Sequence, residues 1–358
     1  MEEGKTIIRL ESKLNLIFMN REDKHTFFSI IIPVYNGLTH DLPICLESIW
    51  LQPLDPSQYE VICVDDCSTD DTRRWLDEEA AKHSNMRVIK HSVNKRQGGG
   101  RNTGVRAANG KYILFIDQDD YYHQGALRKI YDCLSVNKSI EVFVSDSAFQ
   151  FKGHESNTLQ LNLPFREIAD SVEFVKRNGI VLAPWRLCIL RSFYLEHHFE
   201  FPEFCRIEDV DWACRVLYYT KRMTYQPILL VHYNKAETGQ TDNMYRNVEI
   251  LRANTMAGRR TWDIAKTLYE NNPLQQTIFN VAEMYFNFTC RYMFGMFTSI
   301  QVKQNIIKLI PTQKSRFKLV NMAMHHTMFF CIVSNLGVPL FRVLRLMIRW
   351  RKARQLSD

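Results

Sequence analysis

The 358-residue chain lacks the marks of several common protein classes. Its nine cysteines are odd in number and include no Cys-x-x-Cys pair, which argues against a zinc ribbon or a disulfide framework and for a reducing compartment. The first 25 residues carry charges throughout and no apolar run of signal-sequence length, so no signal peptide is expected. There is no repeat or low-complexity stretch, and no recognised nucleic-acid motif accompanies the net charge of +7; no nucleic-acid partner is expected. Between Met284 and Ser357 the chain has no Asp or Glu but twelve Lys or Arg, while the residues before it are net acidic. That end calls for an anionic partner.

What the chain does have is a series of short apolar, β-branched runs. Those at 27–34, 60–64, 86–91 and 112–116 alternate with helix-length segments, the pattern of an α/β domain with a mostly parallel sheet flanked by helices. Further strands are expected at 141–145, 183–190 and 228–233, and a helix over 208–219. From about Met244 the pattern is helical to the end. The expected organisation is an N-terminal extension (1–26), an α/β domain (27–240) and a basic helical region (241–358).

Two of these runs end in acids. Asp65 and Asp66 follow the second, and Asp117, Asp119 and Asp120 follow the fourth. Open α/β sheets bind ligands at the carboxyl ends of their strands, and crowded carboxylates repel unless a hard divalent cation takes up their charge. An acidic surface turn would look the same. Between the two clusters, Gly98-Gly99-Gly100-Arg101 reads as a turn that lets backbone approach a ligand, with Arg101 as a fork for phosphate or a base edge; a merely flexible loop would also fit.

Taken together, Ser-Ile-Ile-Ile-Pro-Val-Tyr-Asn (29–36), Val-Asp-Asp-Cys-Ser-Thr-Asp-Asp-Thr (64–72), Asn94 with Gly-Arg-Asn-Thr-Gly (100–104), and Asp-Gln-Asp-Asp (117–120) resemble, in order and spacing, the signatures of family 2 inverting glycosyltransferases of the GT-A fold. The resemblance continues more loosely through Trp185 and Ile-Glu-Asp-Val-Asp-Trp (207–212) to about residue 240 and does not cover the helical end. It implies that Pro33 and Tyr35 line a nucleotide pocket, that Asp66 accepts from uracil, and that Arg101 holds the base or ribose side. It further implies Asp120 as the ligand of Mn²⁺ or Mg²⁺, Asp119 beside it facing the ribose and sugar, and Asp117 in support. His232 matches a strand end leading toward the diphosphate and joins the candidate metal set, with a purely structural role as the alternative. Asp209 of the Glu208-Asp209 pair is the implied catalytic base. Cys67, Arg96 and Gly100 depart from the family pattern, where Gly, Gly and Ala are common.

The implied reaction is transfer of a sugar from a nucleoside diphosphate, UDP above all, to a hydroxyl of a glycan or lipid-linked acceptor. Arg342, Arg345, Arg349, Arg351, Lys352 and Arg354, interleaved with apolar residues, would lay a helix on an anionic membrane surface at the cytoplasmic face. Packing of that helix on the catalytic domain is the alternative, and the uncharged run 321–341 is a weak spanning candidate. A nucleotidylyltransferase would need a glycine-rich loop where this chain has Pro33-Val34-Tyr35-Asn36. A sugar-nucleotide-binding protein without transfer activity would not need Asp209.

Overall fold

Phe28–Val34 (β1) is buried along its whole length because both of its faces are covered, as its composition, apolar but for Ser29, demands. Alternate residues feed two cores: Ile31 packs on one side of the sheet with Ile62, Val64 and Phe115, while Ile30 and Ile32 pack on the other with Leu42, Leu46 and Leu127. The computed structural model describes residues 26–334, apart from 138, 152–153, 160–166, 182, 236–246, 269–271, 294–297, 312–314, 329 and 332–333.

Tyr59–Asp65 (β2), Met86–Lys90 (β3) and Tyr112–Phe115 (β4) run parallel to β1 in the order β3-β2-β1-β4, so the order reverses beside β1 and a crevice opens there. The helices Leu42–Trp50 (α1), Thr72–Ala80 (α2), Arg96–Ala107 (α3) and Ala126–Val136 (α4) cover the faces. Beyond β4 the sheet becomes mixed. Tyr121–Tyr122 (β5), Val142–Phe151 (β6), His154–Leu159 (β7), Leu187–Leu190 (β8) and Met223–Lys235 (β9) extend it, with β8 antiparallel to β4 and β6, and β6 parallel to β9. The short helices Ser171–Asn178 (α5) and Arg191–Glu196 (α6) precede Asp209–Tyr219 (α7).

The glycine triplet does not form a turn. It lies within α3, a poor helix former by propensity, because side chains there would collide with the neighbouring structure. A Cβ on Gly100 would stand 2.8 Å from Pro33 Cβ, one on Gly98 2.5 Å from the Pro202 carbonyl oxygen, and one on Gly104 2.3 Å from Ile31 Cγ2. The glycines seat the helix directly on β1 and on the loop before α7.

The expected helical region follows as Val248–Thr267 (α8), Gln275–Met293 (α9), Ile300–Ile307 (α10) and Lys318–His325 (α11). It shares a core with the sheet: Ala265, Leu268, Leu274 and Ile278 pack in the same cluster as Ile31 and Phe115. Part of the uncharged run 321–341 is also interior, since Ala323, Phe330 and Cys331 join the core of α8 and α9. Among the described residues no helix is long and apolar enough to cross a membrane. Residues 1–25 of the N-terminal extension, the expected boundary between 240 and 241, and the basic segment 342–354 lie outside the described residues. All nine cysteines are free.

Candidate active site

The acids gather at one edge because the strands that carry them end in register. Val34 pairs with Asp65, and the Asp66 N–H donates to the Val34 carbonyl at 2.7 Å. Asp65 turns away from the crevice: it accepts from Arg73 Nε at 2.6 Å and from the Ser68 N–H at 3.0 Å. Asp66 Oδ1 accepts from the Lys95 N–H at 2.8 Å and meets His91 Nδ1 at 2.7 Å, while His91 Nε2 meets the Thr103 hydroxyl at 2.9 Å. The loop after β1 is stapled to the loop after β4 by Gln118, whose amide accepts from the Tyr35 N–H at 2.8 Å and donates to its carbonyl at 3.0 Å.

In the second cluster the three acids have different surroundings. Asp120 is 1% exposed; its Oδ1 accepts from the Asn234 N–H at 2.9 Å, and its Oδ2 is buried with no hydrogen-bond donor among the described residues. Burial, then Asp117 and Asp119, hold the Asp120 carboxyl well above its ordinary pKa. Asp119 is pushed up to about 6, first by burial and then by Asp117. Asp117 is tied down by Arg101. Next along the chain, Tyr121 of β5 pairs with His232 of β9; the rings stack at 4.7 Å, and His232 Nε2 lies 3.0 Å from His123 Nδ1.

Arg101 joins this cluster to the second acidic pair. It donates to Asp117 Oδ1 at 2.7 Å and to Glu208 Oε1 at 2.6 Å, and its guanidinium lies over Phe201. Burial would lower its pKa, but Asp117 and Glu208 outweigh that and raise it. Asp209 follows as the first residue of α7, where the helix dipole favours a carboxylate. Burial, then Glu208, push its pKa up to about 7 against the opposing pull of Arg101. The loop before it is strained: Phe204 and Ile207 have φ of 58° and 59°, a region that a β-branched residue rarely enters. Arg260 of α8 holds that loop, donating to the Ile207 carbonyl and to Asp211 Oδ1, each at 2.8 Å.

Arg101, Asp117, Asp119, Glu208 and Asp209 line one cleft of about 450 Å³. Of the expected residues, Asp120 stands buried behind this wall, Tyr35 is exposed, and Pro33 is buried under α3. Asp66 is held against His91 rather than in the cleft lining. Two expectations change. Arg101 is not an open fork for a base, because two carboxylates close around its guanidinium. Asp119, Asp120 and His232 do not form a chelate on their own: among the described residues no three His, Cys, Asp or Glu side chains converge as an ion site, and His232 Nε2 faces His123. Sequence reasoning missed Gln118, which sits in plain view within the acidic motif, and Arg260, for which the sequence carries no signal.

Residues 29–196 match the model described as Glycosyl transferase family 2. Over that segment, just under half of the chain, the sequence is that of a family 2 glycosyltransferase domain. Its match ends before Glu208-Asp209 and the helical region. The poly(ribitol-phosphate) beta-glucosyltransferase of Bacillus spizizenii is 42% identical over 113 residues, 31% of this chain and 18% of that protein. The poly(ribitol-phosphate) beta-N-acetylglucosaminyltransferase TarS of Staphylococcus aureus is 34% identical over 105 residues, covering 28% and 18% of the two chains. This chain thus spans under a fifth of the length of those relatives. The crystal structure of S. aureus TarS 1-349 in complex with UDP-GlcNAc superposes with a TM-score of 0.64 at 19% identity, covering 88% of this chain and 91% of that one. That likeness is one of fold, and the fold is GT-A.

Proposed function

We propose that this family 2 domain transfers a sugar from a UDP-sugar to a hydroxyl of a glycan, polyol polymer or lipid-linked saccharide, with inversion at the anomeric carbon. The observation that carries the reading is Asp209, a carboxyl pushed up to about 7 in the same cleft as the Asp117-Asp119 wall, with its neighbour Glu208 linked to that wall through Arg101. A base poised near the working pH is what removal of an acceptor proton requires. The relatives support the finer points: TarS has been crystallised with UDP-GlcNAc and with UDP, and the Bacillus and Staphylococcus proteins are named as β-glycosyltransferases. A β product from an α-linked nucleotide sugar is an inversion.

The chain's own groups divide the work. Asp209 takes the acceptor proton as the hydroxyl attacks. Arg101 fixes the spacing of Asp117 and Glu208, and hence of the two loops that carry the acids. Asp120 fits a divalent cation, Mn²⁺ or Mg²⁺, because one of its oxygens is buried without a donor among the described residues and its acid neighbours disfavour ionisation unless positive charge is supplied. Asp120 and Asp119 would hold that ion, with its remaining ligands drawn from the donor diphosphate and water. The ion would supply neutralisation of the leaving diphosphate. His232 buttresses the Asp120 loop through Tyr121 and His123.

The basic segment 342–354 is proposed to hold the protein peripherally at the cytoplasmic face of an anionic membrane. Truncation at Phe341 leaves the buried Phe330 and Cys331 in place; it should release the protein from anionic vesicles, and unchanged sedimentation with them would refute the proposal.

The test of function is UDP release by purified protein with Mn²⁺ across a panel of UDP-sugars and acceptors, with the product anomer read by NMR. A β product is expected. Nucleotide binding without turnover on any pair would leave a sugar-nucleotide-binding protein instead.

A further inference from the structure

The cleft has two unlike halves. One is the acid wall. The other is built from side chains outside the family match: Asn254 of α8, and Tyr285, Phe288 and Tyr292, which share one face of α9. Phe288 and Tyr292 stack at 6.1 Å, and Tyr285 meets Phe288 edge-on at 6.4 Å. Phe288 nevertheless remains 37% exposed, a large ring left in water beside the reaction centre. In the same lining Trp185 stacks on Tyr233 at 5.8 Å, with Arg186 over its ring. Stacked, half-exposed rings of this kind suit the C–H faces of a sugar or polyol.

Besides Arg101, two arginines share this lining, Arg96 and Arg206. Arg101 has its charge consumed by Asp117 and Glu208, and Lys95 pairs with Glu203, but neither Arg96 nor Arg206 forms an ion pair with a described carboxylate. Arg96 is moreover held at φ 67°, where the family commonly has glycine, so a cationic side chain occupies a position whose backbone disfavours one. Arg206 lies three residues before Asp209, on the strained loop that Arg260 anchors. Unpaired guanidinium groups around a partly apolar cleft recognise phosphate.

We propose that this half of the cleft is the acceptor subsite, and that it takes a phosphate-bearing glycan or polyol chain. The rings of α9 and Trp185 hold the carbon skeleton, Arg96 and Arg206 hold a phosphate, and the hydroxyl adjoining that phosphate is presented to Asp209. The proposal rests on the transferase reading, so it is tested by binding as well as by turnover.

The probes are a short phosphodiester-linked polyol oligomer, an uncharged oligosaccharide of equal length, and UDP with Mn²⁺, each titrated against full-length protein. Wild type should prefer the charged oligomer, and that preference should fall as salt rises. Arg96→Gln and Arg206→Gln should each weaken it about tenfold, with the uncharged oligomer and UDP within about twofold of wild type. Arg206→Lys should recover part of the loss. Phe288→Ala should weaken both oligomers and spare UDP. Retained UDP affinity shows that each variant is folded. Equal binding of the two oligomers by wild type would overturn the proposal. So would loss of UDP affinity in the arginine variants with oligomer binding unchanged, which would assign the arginines to the donor diphosphate. Absence of turnover alongside the expected binding pattern would instead sink the transferase reading and leave the subsite standing.

Discussion

The sheet and the helical region use buried charge in opposite ways. At the sheet edge, Asp119, Asp120 and Asp209 are crowded and desolvated, and burial raises their pKa values. That arrangement costs stability and makes sense only if a proton, a cation or a substrate arrives to relieve it. In the helical region Lys303 is fully buried, yet its Nζ donates to the Met293 carbonyl at 2.8 Å and to the Ser334 hydroxyl at 2.7 Å. Its charge is lodged among neutral partners and serves packing. The difference lies in the neighbours: the acids crowd one another, and the lysine has neutral partners.

The largest expected effect comes from removing the relievable charge. Asp209→Asn should lower turnover by about 10²–10⁴-fold, the usual worth of a general base, while UDP affinity stays near that of wild type. The same change should raise stability. Burial and Glu208 push the Asp209 carboxyl up to about 7 from the ordinary 3.8, so the folded protein binds the proton more tightly and loses stability as pH rises between those values. At pH 8 the Asn variant, free of that cost, should melt higher than wild type; an equal or lower Tm would mean that Asp209 is not strained.

Next comes the contact between the two regions. Arg260→Leu leaves Asp211 buried without its partner and frees the Ile207 carbonyl from α8. Turnover should fall about 10–100-fold through misplacement of Asp209, with KM for the donor unchanged. Arg260→Lys, which keeps the charge, should recover part of it. A matched fall in donor affinity would instead indicate general disruption.

Smaller and purely structural is Gly104→Ala. The new Cβ would meet Ile31 Cγ2 at 2.3 Å and push α3 off β1, costing about 1–3 kcal/mol in denaturant unfolding. No loss would mean that the helix is loosely seated. The smallest effect is a pH slope. Burial lowers the pKa of Lys303 to about 8 from the ordinary 10.5, so wild type should gain stability as pH rises between those values, and Lys303→Met should remove that gain. A slope of the same size in the Met variant would contradict the assignment.

How much of this was legible follows the same division. β1, β2 and β4 were readable because buried strands are mostly apolar runs, and after β2 and β4 the acids follow at once. The Glu208-Asp209 pair was readable at the head of its helix. The glycine triplet misled, because its reason is the proximity of Pro33 and Pro202, residues far away in sequence. Arg101 was found but its partners were not, since Asp117 and Glu208 are brought to it by folding. The rings of α9 were hidden for a different reason. Tyr285, Phe288 and Tyr292 repeat at helical spacing and look like any core stripe, and only the exposure of Phe288 separates them from one.

The central claim is that Asp209, tuned by burial and Glu208 against Arg101, removes the acceptor proton. Its most direct test is the pH dependence of kcat/KM for the acceptor at saturating donor and Mn²⁺. The account predicts a rate that rises with pH through an acid limb near 7 and then levels. A limb near 4, or a rate indifferent to pH between 5 and 8, would contradict it.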